Sequence, residues 1–340
     1  MAKATPILSI LNRVSLESSN ELHQELIKVG SSPTKFPYHH NCEFCKNNCE
    51  SPGIPDAEYV HVTNVWNGRQ HIEYAFVKLA HQTKLPRIWL WIDDGSVDGT
   101  SEEILRVSKE YPQFEVWLEK MPTKNKGNLN TIGRAYSAIM PRVIDKLDAL
   151  GIKYFTIQDV DTEPCPNYFA RIIWFMDNDS QLGACSGTAI GEEKVREAGM
   201  PMGGLKVVRW SIVREITKYW DLSPDTFLNI RTLKKGFKLK IWRIPVKQDT
   251  PSTSTTEKGL FYQGQLNYFI GRPFLGVLLR ALRRVILRRY GSAMLRGYLF
   301  ERARGTWRCD DPDVTSFYGH GKPWPWVIIN LIKTKGRYVN

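Results

Sequence analysis

The chain has 340 residues, 42% of them hydrophobic, a formal net charge of +12 and a pI near 9.3. That length and apolar content bury a full core as one large domain or one domain with appendages, and six cysteines in so long a chain argue against a disulfide-stapled scaffold. No apolar run approaches a spanning helix and the start, Met1 to Leu8, lacks the long apolar stretch of a secretory signal, so the expected location is the cytoplasm. The surplus of positive charge points to polyanionic company: nucleic acid, anionic lipid or phosphorylated substrates.

Residues 1–55 read as an N-terminal appendage, with a helix over Leu16–Val29 followed by a Cys/His loop. Cys42, Cys45 and Cys49 follow His39-His40, and three thiolates with the imidazole of His40 make the donor set of a tetrahedral structural Zn²⁺ site. The second Cys pair usual in such sites is missing. A solvated loop of reduced thiols, flanked by Asn47-Asn48 and Pro52-Gly53, is the weightier alternative. Cys165, Cys185 and Cys309 are scattered and read as ordinary packed residues.

Residues 56–250 form the main domain. Tyr59–Asn64 alternates like a strand, and Ile72, Phe76, Leu79 and Ala80 recur at helical spacing. The run from Trp89 to Ile92 reads as a buried strand that ends in two adjacent carboxylates, Asp93 and Asp94. Turn residues follow, and Thr100 with Glu103 has the spacing of a capping box opening a helix through Ile104, Leu105 and Val107. Strand, helix, strand in this order predicts a right-handed parallel crossover and hence an α/β fold. Carboxylates are costly to bury unpaired, and the C-terminal ends of strands are where open α/β sheets bind ligands. No Gly-x-Gly-x-x-Gly follows the first strand, which counts against a dinucleotide-binding oxidoreductase.

The stretch Asp93-Asp94-Gly95-Ser96-Val97-Asp98-Gly99-Thr100 resembles the Asp-Asp-Gly-Ser-x-Asp-Gly-Thr signature of family 2 glycosyltransferases, and Gln82-Thr83-Lys84-Leu85-Pro86 resembles the segment that precedes it. The resemblance implies a GT-A fold, a Rossmann-like, mostly parallel sheet flanked by helices. It also implies that Asp93 contacts the nucleobase of a nucleoside-diphosphate-sugar donor, with Asp94 as a second candidate.

Further along, Phe114–Leu118 reads as a strand. Lys124–Arg134 is a basic, Gly-containing loop that opens a helix over Ala135–Leu150 and resembles the family's Asn-x-Gly loop. That likeness nominates Lys126 or Arg134 beside the donor nucleotide; a solvated basic loop is the equal alternative. The strand Ile152–Ile157 runs into Asp159 and Asp161, and continued alternation points both carboxylates one way while Val160 turns to the core. Two hard oxygen ligands so placed suit Mg²⁺ or Mn²⁺. The pair resembles the family's Asp-x-Asp motif, which implies Asp161 on the metal and Asp159 on metal or donor. Pro164 and Pro166 break the strand and start a helix carrying Phe169, Ile172, Ile173 and Met176; Leu182–Gly187 returns as a strand, and residues 189–204 form an acceptor-side loop. Ser223 is a good N-cap and Pro224 a good first helical residue, which puts Asp225 in the first turn; the helix leads to a strand over Lys238–Ile244. By resemblance Asp225 is the general base or an acceptor ligand; the alternative is a helix-start acid. Pro224 replaces the Glu usual before that Asp, and Lys247-Gln248-Asp249 stands where many relatives carry a His.

Residues 251–340 form a C-terminal basic amphipathic helical region. In Phe274–Arg289, Leu275, Leu278, Leu279, Leu282, Val285 and Ile286 fall on one stripe and Arg280, Arg283, Arg284 and Arg288 lie across from it. Two readings stand: a helix lying in an anionic membrane surface, or one packing its Leu stripe on the main domain. Together these readings lead to an inverting glycosyltransferase with an Asp base, assisted by Mg²⁺ or Mn²⁺. It would move a sugar from a nucleoside-diphosphate donor to a hydroxyl on a glycan or glycolipid, in the cytoplasm and peripherally on the inner face of the membrane. The alternatives are a polyprenyl-phosphate glycosyltransferase at the membrane surface and a non-catalytic nucleotide-sugar or carbohydrate-binding protein. Nucleic acid is not an expected partner, because no recognised module supports it.

Overall fold

The computed structural model describes residues 54–123, 132–190, 200–220, 223–248, 256–287, 289–305 and 308–333. The expected Cys/His cluster (His40, Cys42, Cys45, Cys49), the N-terminal helix and Lys126 lie outside them. Eight strands form one sheet in the order β3-β2-β1-β4-β7-β6-β8-β5. They are β1 (Tyr59–Val65), β2 (Ile88–Asp93), β3 (Val116–Lys120), β4 (Tyr154–Gln158), β5 (Thr162–Pro164), β6 (Leu182–Ala189), β7 (Leu205–Arg209) and β8 (Lys238–Gln248). All run the same way except β7 and β5.

The helices joining the first strands are α1 (Ile72–Ala80), α2 (Thr100–Ser108) and α3 (Ile132–Ala149). Next come α4 (Tyr168–Asn178), the short α5 (Trp210–Val213) and α6 (Pro224–Lys234). The C-terminal set is α7 (Glu257–Phe269), α8 (Phe274–Ile286), α9 (Gly291–Ala303), α10 (Pro312–Phe317) and α11 (Trp324–Lys333). β2 reads as six consecutive buried residues, as a central parallel strand covered on both faces must. The core on one face joins Val60, Leu90 and Phe155 to Tyr136, Met140 and Leu147 of α3. Phe269, Cys309, Val314 and Tyr318 from the C-terminal segment enter the same core. Cys165, Cys185 and Cys309 are free and buried, as expected.

Several local expectations change. Gly99, in the left-handed region at φ 85°, caps α2; no capping box forms, because Thr100 turns its hydroxyl to Asp98 and Glu103 pairs with Arg106. β4 ends at Gln158, and residues 159–161 form a turn closed by the Thr162 N–H donating to the Asp159 carbonyl at 3.0 Å. Val160 is therefore half-buried rather than a core residue, since strand alternation stops before it reaches that position. Pro164 closes the edge strand β5 instead of starting a helix, which a residue without an N–H tolerates at a sheet edge. β7, which runs antiparallel into the middle of the sheet, has no counterpart in the expected elements.

Candidate active site

The strand order places β1 between β2 and β4, so the chain switches direction across the sheet at β1. The C-terminal ends of these three strands lie on one edge, and a crevice at such a switch point is where α/β sheets receive ligands. Val65, the last residue of β1, pairs in register with Asp93, the last of β2.

Asp93 is fully buried and committed inside its own loop. Its Oδ1 accepts from the Ser96 N–H at 2.8 Å, and its Oδ2 accepts from the Ser101 hydroxyl. Asp94 is also buried and donates its N–H to the Val65 carbonyl at 2.9 Å. Gly95 sits at φ 82°, and a Cβ there would lie 2.4 Å from the Pro122 carbonyl oxygen, so only glycine lets the loop pass. The loop after β1 interlocks with it: Asn67 N–H donates to Ser96 Oγ at 2.8 Å and Asn67 Oδ1 accepts from Val97 N–H at 3.0 Å. Trp66, between Val65 and Asn67, is half exposed beside this double loop.

On the other side of β1, just past the end of β4, lies the second group of acids. The Asp159 N–H donates to the Gly204 carbonyl at 2.8 Å, tying the end of β4 to the start of β7. A Cβ on Gly204 would lie 2.7 Å from Asp159 Oδ2, and one on Gly203 would lie 2.8 Å from Asp225 Oδ2. Two consecutive glycines thus let the backbone run between two carboxylates from distant parts of the chain. Beneath them is Lys206 of β7, fully buried. Its ammonium donates to the Asp225 carbonyl at 2.7 Å and to Asn229 Oδ1 at 3.0 Å, and Asn229 Nδ2 in turn donates to the Pro201 carbonyl at 3.2 Å.

The electrostatics follow from this packing. Asp159 is exposed in the turn after β4, with its carboxyl close to the carboxylates of Asp161 and Asp225. Desolvation, then the charges of Asp161 and Asp225, push its carboxyl up to about 7 against the opposing pull of Lys206. Burial brings Lys206 down to about 8, although Asp225 and Asp159 favour its charged form. Tyr262 of α7 is raised by burial and then by Asp225, which brings α7 near the same carboxylates.

Asp225 occupies the first turn of α6 and Ser223 stands at its N-cap, as the sequence predicts, but the Ser223 side chain makes no bond to the helix N–H groups. Ser223 lies in the left-handed region at φ 52°, which costs about 1–2 kcal/mol for a residue with a Cβ. Its Oγ sits 2.8 Å from Asp225 Oδ1 and from Thr226 Oγ1, holding the carboxylate rather than the helix N–H groups.

The fold therefore brings Asp159, Asp161 and Asp225 into one electrostatic unit at the strand edge shared with Asp93 and Asp94. Arg134 is exposed in the first turn of α3. Asp159 and Asp161 are hard oxygen donors of the kind Mg²⁺ and Mn²⁺ take, and the mutual repulsion that raises Asp159 is what a cation relieves. Among the described residues no group of three or more His, Cys, Asp or Glu is assembled to hold a metal. Lys206, Gly203, Gly204, Asn229 and Trp66 were not anticipated. The signal for Lys206 was present: a lone lysine between Leu205 and Val207-Val208 in an apolar run.

No protein-family model and no curated protein sequence matches the chain. Among solved structures, a mannosyltransferase from Pyrobaculum calidifontis in complex with GDP-Man and Mn²⁺ aligns with a TM-score of 0.51 and 14% identity over 61% of this chain and 61% of its own. TarS from S. aureus in complex with UDP aligns with a TM-score of 0.43 and 11% identity over 60% of this chain and 63% of its own. Glucosyl-3-phosphoglycerate synthase from Mycobacterium tuberculosis aligns with a TM-score of 0.40 and 13% identity over 58% of this chain and 73% of its own. The chain has the GT-A fold of glycosyltransferases. It spans about three-fifths of the mannosyltransferase's length.

Proposed function

We propose that this chain is a glycosyltransferase of the family 2 type, using a nucleoside-diphosphate sugar with a divalent cation. The observation that carries the reading is the convergence of Asp159 and Asp225 on Gly203-Gly204, with Asp161 beside Asp159, at the same sheet edge as the Asp93–Thr100 loop. The Pyrobaculum calidifontis mannosyltransferase of similar fold holds GDP-Man and Mn²⁺, which supports the same class of donor here.

In this reading Asp161, with Asp159 beside it, would hold Mg²⁺ or Mn²⁺, which neutralises charge on the diphosphate as it leaves. Asp93, whose carboxylate Ser96 and Ser101 hold within the loop, would contact the nucleobase, with Asp94 as the second candidate and Trp66 nearby in the adjoining loop. The acceptor hydroxyl oxygen forms the new bond at the anomeric carbon from the face opposite the diphosphate. The bond from that carbon to the diphosphate oxygen breaks, and Asp225 accepts the hydroxyl proton, so configuration inverts. Ser223 and Lys206 orient Asp225, one at its carboxylate and the other at its backbone. The acceptor class on this reading is a hydroxyl of a glycan or glycolipid.

Calorimetric titration of UDP- and GDP-sugars with and without Mn²⁺ tests the donor site. The proposal expects one donor to bind at least tenfold more tightly with Mn²⁺, and Asp161→Asn to erase that difference. Binding of no donor, or binding indifferent to both the cation and Asp161, would refute it.

A further inference from the structure

We propose that the outward face of α8 docks the protein on an anionic lipid surface. The helix is packed inside out. Gly276, Val277 and Ala281 face the protein, Leu275 and Leu278 are half-buried, and the large apolar residues from Leu279 onward face solvent. Leu282 is 50% exposed, Val285 51%, Ile286 80% and Leu287 54%. At 100° per residue Leu275, Leu278, Leu279, Leu282, Val285 and Ile286 share one arc, with Val277, Arg280 and Arg284 opposite it and Gly276 and Ala281 on its flanks. The inward side approaches its neighbours closely: a Cβ on Gly291, at the start of α9, would lie 2.1 Å from the Ala281 carbonyl oxygen, and one on Gly276 would lie 3.4 Å from Val327 of α11. The small side of α8 is thus fixed against the protein, and the helix has no room to roll its Leu arc inward. The alternative in which that stripe packs on the main domain does not hold. Tyr290 after the helix and Trp324, Ile329 and Ile332 of α11 add further exposed apolar surface.

Charge decides what meets this surface. From Phe274 to Arg304 the chain carries eight arginines and a single acid, Glu301. Arg283 and Arg289 are exposed at the flank and end of the apolar arc, and burial, then Arg289 and Arg283, hold Arg284 below the usual guanidinium range. A second copy of the chain would bring these arginines face to face. An anionic bilayer instead accepts the Leu arc at the acyl boundary while arginines reach the headgroups. No helix among the described residues is long and apolar enough to cross a membrane, so the contact is a surface one. The inference does not depend on the reaction the cleft carries out.

Flotation of the full chain with vesicles of phosphatidylcholine alone, or mixed with phosphatidylglycerol, tests it. The wild type is expected to float with the mixed vesicles at low salt and to remain below with phosphatidylcholine alone. Arg283→Gln and Arg289→Gln each weaken partitioning by about fivefold, from about 1 kcal/mol per basic residue near the surface. Leu282→Asp/Ile286→Asp reduces partitioning at least tenfold with an unchanged melting temperature, because both positions are exposed. A wild type that does not float with anionic vesicles, or a Leu282→Asp/Ile286→Asp variant that floats as well as it does, overturns the proposal. So does sedimentation showing a concentration-dependent dimer that the double variant dissolves, which would make the face a contact between copies.

Discussion

The ammonium of Lys206 donates to the backbone carbonyl of Asp225 across 2.7 Å, joining the middle of the sheet to the first turn of α6. It is a buried cation beside two carboxylates, Asp159 and Asp225, and it compensates part of their charge from inside the protein. Replacing it by methionine keeps the volume and removes the charge. Lys206→Met is expected to cost about 1.5–3 kcal/mol in urea unfolding, since the Asp225 carbonyl and Asn229 Oδ1 lose a charged donor. Sugar transfer should fall more in kcat than in the donor KM, because the change reaches Asp225 and leaves the loop at Asp93 intact. Equal effects on both constants would assign Lys206 a purely structural part.

Gly203 and Gly204 separate position from stability. A Cβ on Gly203 would meet the Asp225 carboxylate, and one on Gly204 the Asp159 carboxylate with Gln248 Nε2 and Thr162 Oγ1 at 3.3 Å, side-chain atoms that can yield by small shifts. Gly203→Ala and Gly204→Ala are therefore expected to change stability by less than about 1 kcal/mol. Gly204→Ala should lower Mn²⁺-dependent donor binding, and Gly203→Ala should lower kcat. Thermal melts beside single-turnover rates check both statements.

Asp159 gives a pH signature in the metal-free protein. Its carboxyl is at about 7 in the fold against 3.8 for the free group, so between those values the folded state holds a proton that the unfolded chain has released. Stability from this site is present at low pH and is lost as pH rises towards 7, with no further loss above it. Asp159→Asn should thus raise the melting temperature at about pH 8 and leave it nearly unchanged at about pH 4. Added Mn²⁺ should stabilise the wild type more at the higher pH and the variant little at either.

Trp66 is a half-exposed aromatic whose chain neighbours Val65 and Asn67 both bond to the Asp94–Val97 segment. Trp66→Ala is expected to weaken nucleotide binding by about 1–3 kcal/mol, the worth of one stacked base. Quenching of tryptophan fluorescence by bound nucleotide should be smaller in the variant.

The sheet was legible where local pattern and burial agree. The apolar run into Asp93, the helical spacing of Ile72 to Ala80 and the Pro224 helix start each reappear as elements. β7 was not legible, because Leu205–Arg209 is short, follows two glycines and reads as the end of a loop until its partner β4 is known. The same blindness hid the site's frame. Lys206, Asn229 and the Gly203-Gly204 spacer meet Asp159 and Asp225 only through antiparallel pairing with a strand some fifty residues earlier in the chain. The reversal of α8 was equally invisible: a helical stripe shows which residues share a face, and packing alone decides which face turns in.

The measurement that bears most directly on the glycosyltransferase reading is release of nucleoside diphosphate from a panel of nucleotide sugars with Mn²⁺ or Mg²⁺, wild type beside Asp161→Ala and Asp225→Asn. The account predicts release from one donor that requires the cation, disappears in Asp161→Ala, and in Asp225→Asn falls while donor binding persists. Donor binding or release that ignores the cation and survives Asp161→Ala would contradict it.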